Sequence, residues 1–166
     1  RNLAGHQKGK NFAAGVYIAH TLLHSKIIEP ILERRVKPDL TISARDALVD
    51  AAVYTAFYSN PLIPENAQQR LTLLQRTTRI PFRDIIFFLR TPPHIALQRI
   101  QVRDRLNRRQ PKQIHEDPDS LTQLQTVYEQ ILSNLDMRGI CTVVDISTED
   151  LTQEDVVAKI RGVIEA

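Results

Sequence analysis

The chain contains a single cysteine, Cys141, in 166 residues. No intrachain disulfide and no cysteine metal cluster can form, which fits a reducing compartment, and a cytoplasmic protein is expected. No apolar run reaches the length that spans a membrane, and no signal-peptide pattern opens the residues, so no membrane partner is expected. Internal repeats and low-complexity tracts are absent. Net charge is only +3, too small to name a partner by itself. Glycine is missing where a phosphate-binding loop would need it. Gly9-Lys10 invites that reading, but the loop requires a glycine at position 4, which is Ala4, and a Ser or Thr at position 11, which is Asn11. Residues 1–11 therefore read as a flexible N-terminal segment. His115-Glu116-Asp117 has no second histidine at ligand spacing, so it reads as a loop and helix cap, and no metal site is expected.

What is present is an ordinary globular composition, with 42% hydrophobic and 25% charged residues. One domain over residues 12–166 is the expectation. Phe12, Val16, Leu23 and Ile27 recur at helical spacing, with Ile28 and Ile31 extending the face, and Pro30 should bend or interrupt this helix. Leu40–Ser43 reads as a short strand. Asp46–Tyr58 reads as a helix with Leu48, Val49, Ala52, Val53 and Ala56 on its buried side, and Glu65–Gln75 as another. Ile85–Leu89 is an unbroken β-branched and aromatic run, which predicts a strand buried on both faces. Pro92-Pro93 opens the next helix. Asp117-Pro118 starts a further helix, with a stripe of Leu121, Leu124, Tyr128, Ile131 and Leu135. Gly139 breaks the chain before the strand at 140–145. Thr152 and Asp155 stand at capping-box spacing before a last amphipathic helix.

Three strands separated by helices predict an α/β fold: a parallel sheet with helices on both faces. Ligands of such sheets sit beyond the C-terminal strand ends. Ser43-Ala44-Arg45-Asp46, Arg90-Thr91 and Asp145 should all lie along that edge. Arg45 is either a phosphate-directed arginine or a surface residue ahead of a helix-starting Asp46. Arg99 and Arg103 lie one turn apart, as do Arg105 and Arg109. Five arginines and no lysine fall between Arg99 and Arg109. Guanidinium forks suit bidentate contact with phosphate oxygens, although a solvated basic face has the same pattern. No aromatic side chain is interleaved for base stacking, which argues against a nucleic-acid partner.

Together these pieces resemble the thymidylate kinase family of nucleoside monophosphate kinases, of P-loop kinase fold. Pro30-Ile31-Leu32-Glu33-Arg34 resembles the family's Pro-x-Leu-Glu-Arg helix end. Leu40–Tyr54 resembles its strand, Asp-Arg signature and following helix with a substrate-side Ala-Tyr. Asp84 to Arg103 carries Asp84, Pro92, Pro93, Ala96, Arg99 and Arg103 in the family spacing that leads into the lid. Cys141–Ile164 resembles the final strand and helix. Arg90-Thr91-Pro92 is also similar to the related deoxynucleoside kinases.

The resemblance implies ATP- and Mg²⁺-dependent phosphorylation of dTMP or a related nucleotide monophosphate, with a homodimer as a possible assembly. It implies Arg45, Arg99 and Arg103 as catalytic residues. Substrate contacts would come from His20, Asp46, Tyr54, Arg105, Arg108 and Arg109, and the lid would span about residues 99–116. The sequence departs from the family at Ala44, where the signature aspartate stands, at His20, where a first-helix arginine stands, and at Thr55, where a glutamine stands. It also lacks the phosphate loop with its strand. Residues 1–166 alone are therefore expected to be inactive, with an unfilled central place in the sheet between 40–43 and 85–89. A catalytically silent nucleotide- or protein-binding relative is the alternative, and a nucleic-acid-binding module a more distant one.

Overall fold

The computed structural model describes residues 12, 15–16, 19–20, 23–36, 41–58, 64–106 and 117–166. The N-terminal segment 1–11, Leu40, and the 107–116 part of the expected lid lie outside the described residues. The described chain is α/β, with helices and a two-stranded parallel sheet.

Phe12, Gly15, Val16, Ala19, His20 and Leu23 are helical and lead into a π-turn at His24–Ile28. An α-helix follows directly, α1, Glu29–Val36. Pro30 explains the change of winding. It has no N–H to give to a carbonyl one turn back, and it fits the first turn of α1, so the chain widens its turn just ahead of it. Asp46 then caps α2, Ala47–Phe57, by accepting a hydrogen bond from Val49 N–H at 2.8 Å. Asn66 caps α3, Ala67–Thr78, in the same way through Gln69 N–H. Strand β1, Ile85–Arg90, leads to α4, Pro93–Leu106. Asp117 caps α5, Pro118–Met137, through Ser120 N–H, with Pro118 in the first turn. Gly139, at φ 60°, turns the chain into β2, Thr142–Ser147. Thr152 and Asp155 complete a reciprocal capping box at the start of α6, Gln153–Ile164.

The core is centred on α2, which is buried almost all round. Leu48, Ala51, Ala52 and Val53 pack with Leu71 and Leu74 of α3 and with Leu124, Ile131, Leu132 and Leu135 of α5. Buried Thr55 and Thr78 donate their hydroxyls to the carbonyls of Ala51 and Leu74, so neither leaves a polar group unsatisfied. One face of the sheet joins this core through Ile86, Phe88 and Val143.

Two expectations need correction. Ile85–Leu89 is not buried on both faces: Ile85 is 39% and Leu89 46% exposed on the face opposite the core. That face is only partly covered: Phe87 is half-buried, and Ile146, paired with Leu89 across the sheet, is buried. Of the strand expected at 40–43, the described residues Thr41–Ser43 form none, and Ile42 is 72% exposed. β2 is the only strand beside β1 among the described residues. Without a neighbour to complete a ladder, 41–43 has no backbone partners to hold it as a strand. The two are parallel, with Ile86 opposite Val143 and Phe88 opposite Asp145.

The face carried by Phe12, Val16, Leu23, Ile27 and Ile31 is helical as its spacing requires, yet it is turned to solvent. These side chains are between 48% and 76% exposed. No described helix is long and apolar enough to cross a membrane.

Candidate functional site

A cleft of about 660 Å³ lies between the N-terminal helical residues and the start of α2. Val16, His20 and His24 line it from the first, and Ser43, Ala44, Arg45, Ala47 and Asp50 from the second. His20 and His24 are one turn apart, so their rings share a helix face, stacked with centroids 6.2 Å apart. Ser43 donates its hydroxyl to the Arg45 carbonyl at 2.7 Å, which folds the loop tightly in front of α2.

Arg45 is exposed and meets Asp50 Oδ2 at 3.4 Å through Nη1. Asp50 is mostly buried, and its other oxygen accepts the Tyr128 hydroxyl at 2.7 Å. Tyr128 in turn stacks on Phe88 of β1, with ring centroids 6.0 Å apart. A chain of contacts therefore runs from the sheet to the cleft. Burial pushes the Asp50 carboxyl above its ordinary range, and the Tyr128 and Arg45 contacts oppose that shift. Burial also raises Asp46, against the stabilising Val49 N–H and the charge of Arg83. The Tyr128 phenol is raised, first by burial and then by the Asp50 charge, so it stays a donor.

A second cluster occupies the C-terminal ends of the strands. Arg90 Nε donates to both oxygens of Asp145, at 3.2 and 3.0 Å. Thr91 and Thr148 share a hydroxyl–hydroxyl hydrogen bond of 2.7 Å. Arg99 Nη2 donates to the Thr148 carbonyl at 2.7 Å.

The residues singled out from the sequence divide between these places. His20 and Arg45 come together in the cleft. Asp46 is a helix cap beside it. Tyr54 is buried in α2, stacked on Tyr58. Arg99 braces the loop after β2, and Arg103 binds its neighbour Asp104 through Nε and Nη2. Neither Arg99 nor Arg103 lines the cleft. Arg105 is exposed on the last turn of α4, and Arg108 and Arg109 lie outside the described residues. Asp50, Tyr128 and His24 were not anticipated. Asp50 did carry a signal, as the one charge inside the apolar run Leu48–Val53. A carboxylate buried there needs partners.

The carboxylates do not suit Mg²⁺. Ala44 in the cleft offers no ligand atom on its side chain, Asp46 is committed to its helix, and both oxygens of Asp50 are engaged. Among the described residues no three His, Cys, Asp or Glu side chains group as metal ligands. No protein-family model matches the chain, and it has no significant match among curated proteins or solved structures.

Proposed function

We propose that this chain is a thymidylate-kinase-like domain that binds a nucleotide monophosphate, with its phosphate directed at Arg45 in the cleft. One observation carries the reading. The resemblance implies a substrate contact at His20 in the first helix and a catalytic role for Arg45 after residues 41–43, positions far apart in sequence, and both line the same cleft. An exposed guanidinium held at one edge by a carboxylate offers a planar fork that suits phosphate oxygens. Fixing it in advance reduces the ordering cost of binding.

Phosphoryl transfer itself finds little support in these residues. Transfer from ATP needs backbone amides around the phosphates and Mg²⁺ to neutralise developing charge. The sequence offers no phosphate loop in recognisable form, and Ala44 cannot hold a cation or its waters. Binding without turnover by residues 1–166 is the reading favoured here over an active kinase.

Calorimetric titration of the chain with dTMP, thymidine and inorganic phosphate tests it. Saturable dTMP binding that exceeds thymidine binding and weakens in Arg45→Ala is the expected result. Equal or absent binding of the two, or an unaffected Arg45→Ala protein, would overturn it. An ATP/dTMP turnover assay separates a silent binder from a kinase.

A further inference from the structure

Two of the chain's five histidines, His20 and His24, line the cleft together. Four residues apart on a helix, they share one face, with ring centroids 6.2 Å apart and an interplanar angle of 30°. Two imidazoles at this spacing are the pair that helical zinc sites use. Imidazole nitrogen suits Zn²⁺, Ni²⁺ and Cu²⁺, and it binds zinc at about 2.0–2.1 Å. Two rings that hold one ion have centroids roughly 5 Å apart, so this pair needs to close by about 1 Å. Rotation about the side-chain bonds supplies that, since His20 is exposed and His24 half-buried. The π-turn begins at His24 itself, and such widened turns recur at functional sites.

We propose that His20 and His24 form a two-imidazole site for a divalent transition-metal ion of the zinc type, at the wall of the cleft. Water completes the coordination, for which the cleft of about 660 Å³ has room. The nearby charges permit a cation. Asp50 lines the same cleft and lies close enough to interact electrostatically with His20. Arg45 is the opposing charge, and Asp50 offsets it at 3.4 Å. No third His, Cys, Asp or Glu joins the pair among the described residues, so the affinity is that of a two-ligand site. Half the ligand set of a structural zinc site implies a dissociation constant on the order of 10 µM. Mg²⁺ takes oxygen ligands and is not held by the pair. The site binds rather than hydrolyses. Helical zinc hydrolases place a glutamate beside the first histidine, and this chain has Thr21 there. The site shares the cleft with the proposed nucleotide phosphate but does not rest on that reading.

Calorimetric titration of the full chain with ZnCl₂ and with MgCl₂ tests the proposal, with circular dichroism to report folding. Saturable Zn²⁺ binding in the micromolar range is expected, with no Mg²⁺ binding up to about 1 mM. His20→Gln and His24→Gln should each weaken Zn²⁺ binding at least about 10-fold, because the chelate needs both rings. His94→Gln should change it less than about twofold, since His94 stands apart from the cleft at its exposed contact with Glu149. Electron paramagnetic resonance of the wild-type chain with a single equivalent of Cu²⁺ keeps the test decisive should a variant unfold. Superhyperfine splitting from two imidazole nitrogens is expected. A folded wild type that binds no Zn²⁺ below about 1 mM would overturn the proposal. So would folded His20→Gln and His24→Gln proteins of unchanged affinity, a loss in His94→Gln as large as theirs, or a Cu²⁺ spectrum with fewer than two nitrogens.

Discussion

The hydroxyl of Tyr128 meets Asp50 Oδ1 at 2.7 Å, joining α5 to α2 at the back of the cleft. The same carboxylate holds Arg45 at the front. Asp50 thus ties Arg45 to the buried core, and Tyr128 ties Asp50 to α5.

Removing the Tyr128 hydroxyl should expose this dependence. Tyr128→Phe keeps the stack on Phe88 but leaves a mostly buried carboxylate oxygen without its donor. The expected cost is about 1–3 kcal/mol in urea unfolding at neutral pH. The penalty should shrink in acid. Folding raises the Asp50 carboxyl above 3.8, so the folded state holds the proton more tightly than the unfolded chain. The stability linked to this group is present below the unfolded value and is lost as pH rises through the folded one. Wild type should therefore gain on Asp50→Asn as pH falls from neutrality towards 4. A stability difference that is flat with pH would contradict the buried, charged carboxylate.

The two arginine clusters should behave differently towards ligand. Arg45→Ala is expected to weaken dTMP binding about 10- to 100-fold, the loss of a charge-assisted phosphate contact. Arg99→Ala should change it less than about threefold, because Arg99 spends its Nη2 on the Thr148 carbonyl and does not line the cleft. Calorimetry of the two variants side by side decides this. A larger effect at Arg99 would reinstate it as a lid residue.

Local signals in the sequence were legible to the extent that they acted locally. Asp46, Asp117-Pro118 and the Thr152/Asp155 pair all start helices where their spacing requires, since a cap is settled within one turn. The strands at 85 and 140 were visible as β-branched runs, and each is displaced or extended by at most two residues at its ends. What sequence could not give was the partner of each face. Phe12, Val16 and Leu23 have the period of a buried stripe, but period does not say what buries it. Thr41–Ser43 has strand composition without a neighbour to pair with. The cleft was half legible: Arg45 and His20 stood out, whereas Tyr128 looked like one more member of the α5 stripe, and only tertiary contact shows its hydroxyl turned to Asp50.

The capping box of α6 should matter more than its size suggests. No residue of this helix is fully buried, and only Val156, Ile160 and Ile164 are half-buried, so the cap carries an appreciable share of its order. Thr152→Ala removes the acceptor of the Asp155 N–H and one partner of the Asp155 carboxylate. A loss of about 1 kcal/mol is expected. Amide exchange should quicken through the first turns of α6 and remain unchanged in α2. Equal acceleration in both would mean that α6 is part of the cooperative core.

The edge of β1 offers the sharpest test of the sheet. Thr142 N–H donates to the Asp84 carbonyl and Thr148 N–H to the Arg90 carbonyl, which fixes the ladder between the two strands. In a parallel pair alternate residues direct both backbone groups to the same neighbour. Ile86, Phe88 and Arg90 therefore give their N–H groups to β2, while those of Ile85, Phe87 and Leu89 point to the other edge. No strand stands on that edge among the described residues. Amide exchange along β1 should consequently alternate, with Ile85, Phe87 and Leu89 exchanging at least about tenfold faster than Ile86 and Phe88. Side-chain burial cannot produce that alternation by itself, because Phe87 is as half-buried as its two neighbours. Uniform protection along the strand would mean that the second edge is paired in solution, and would make β1 an interior strand.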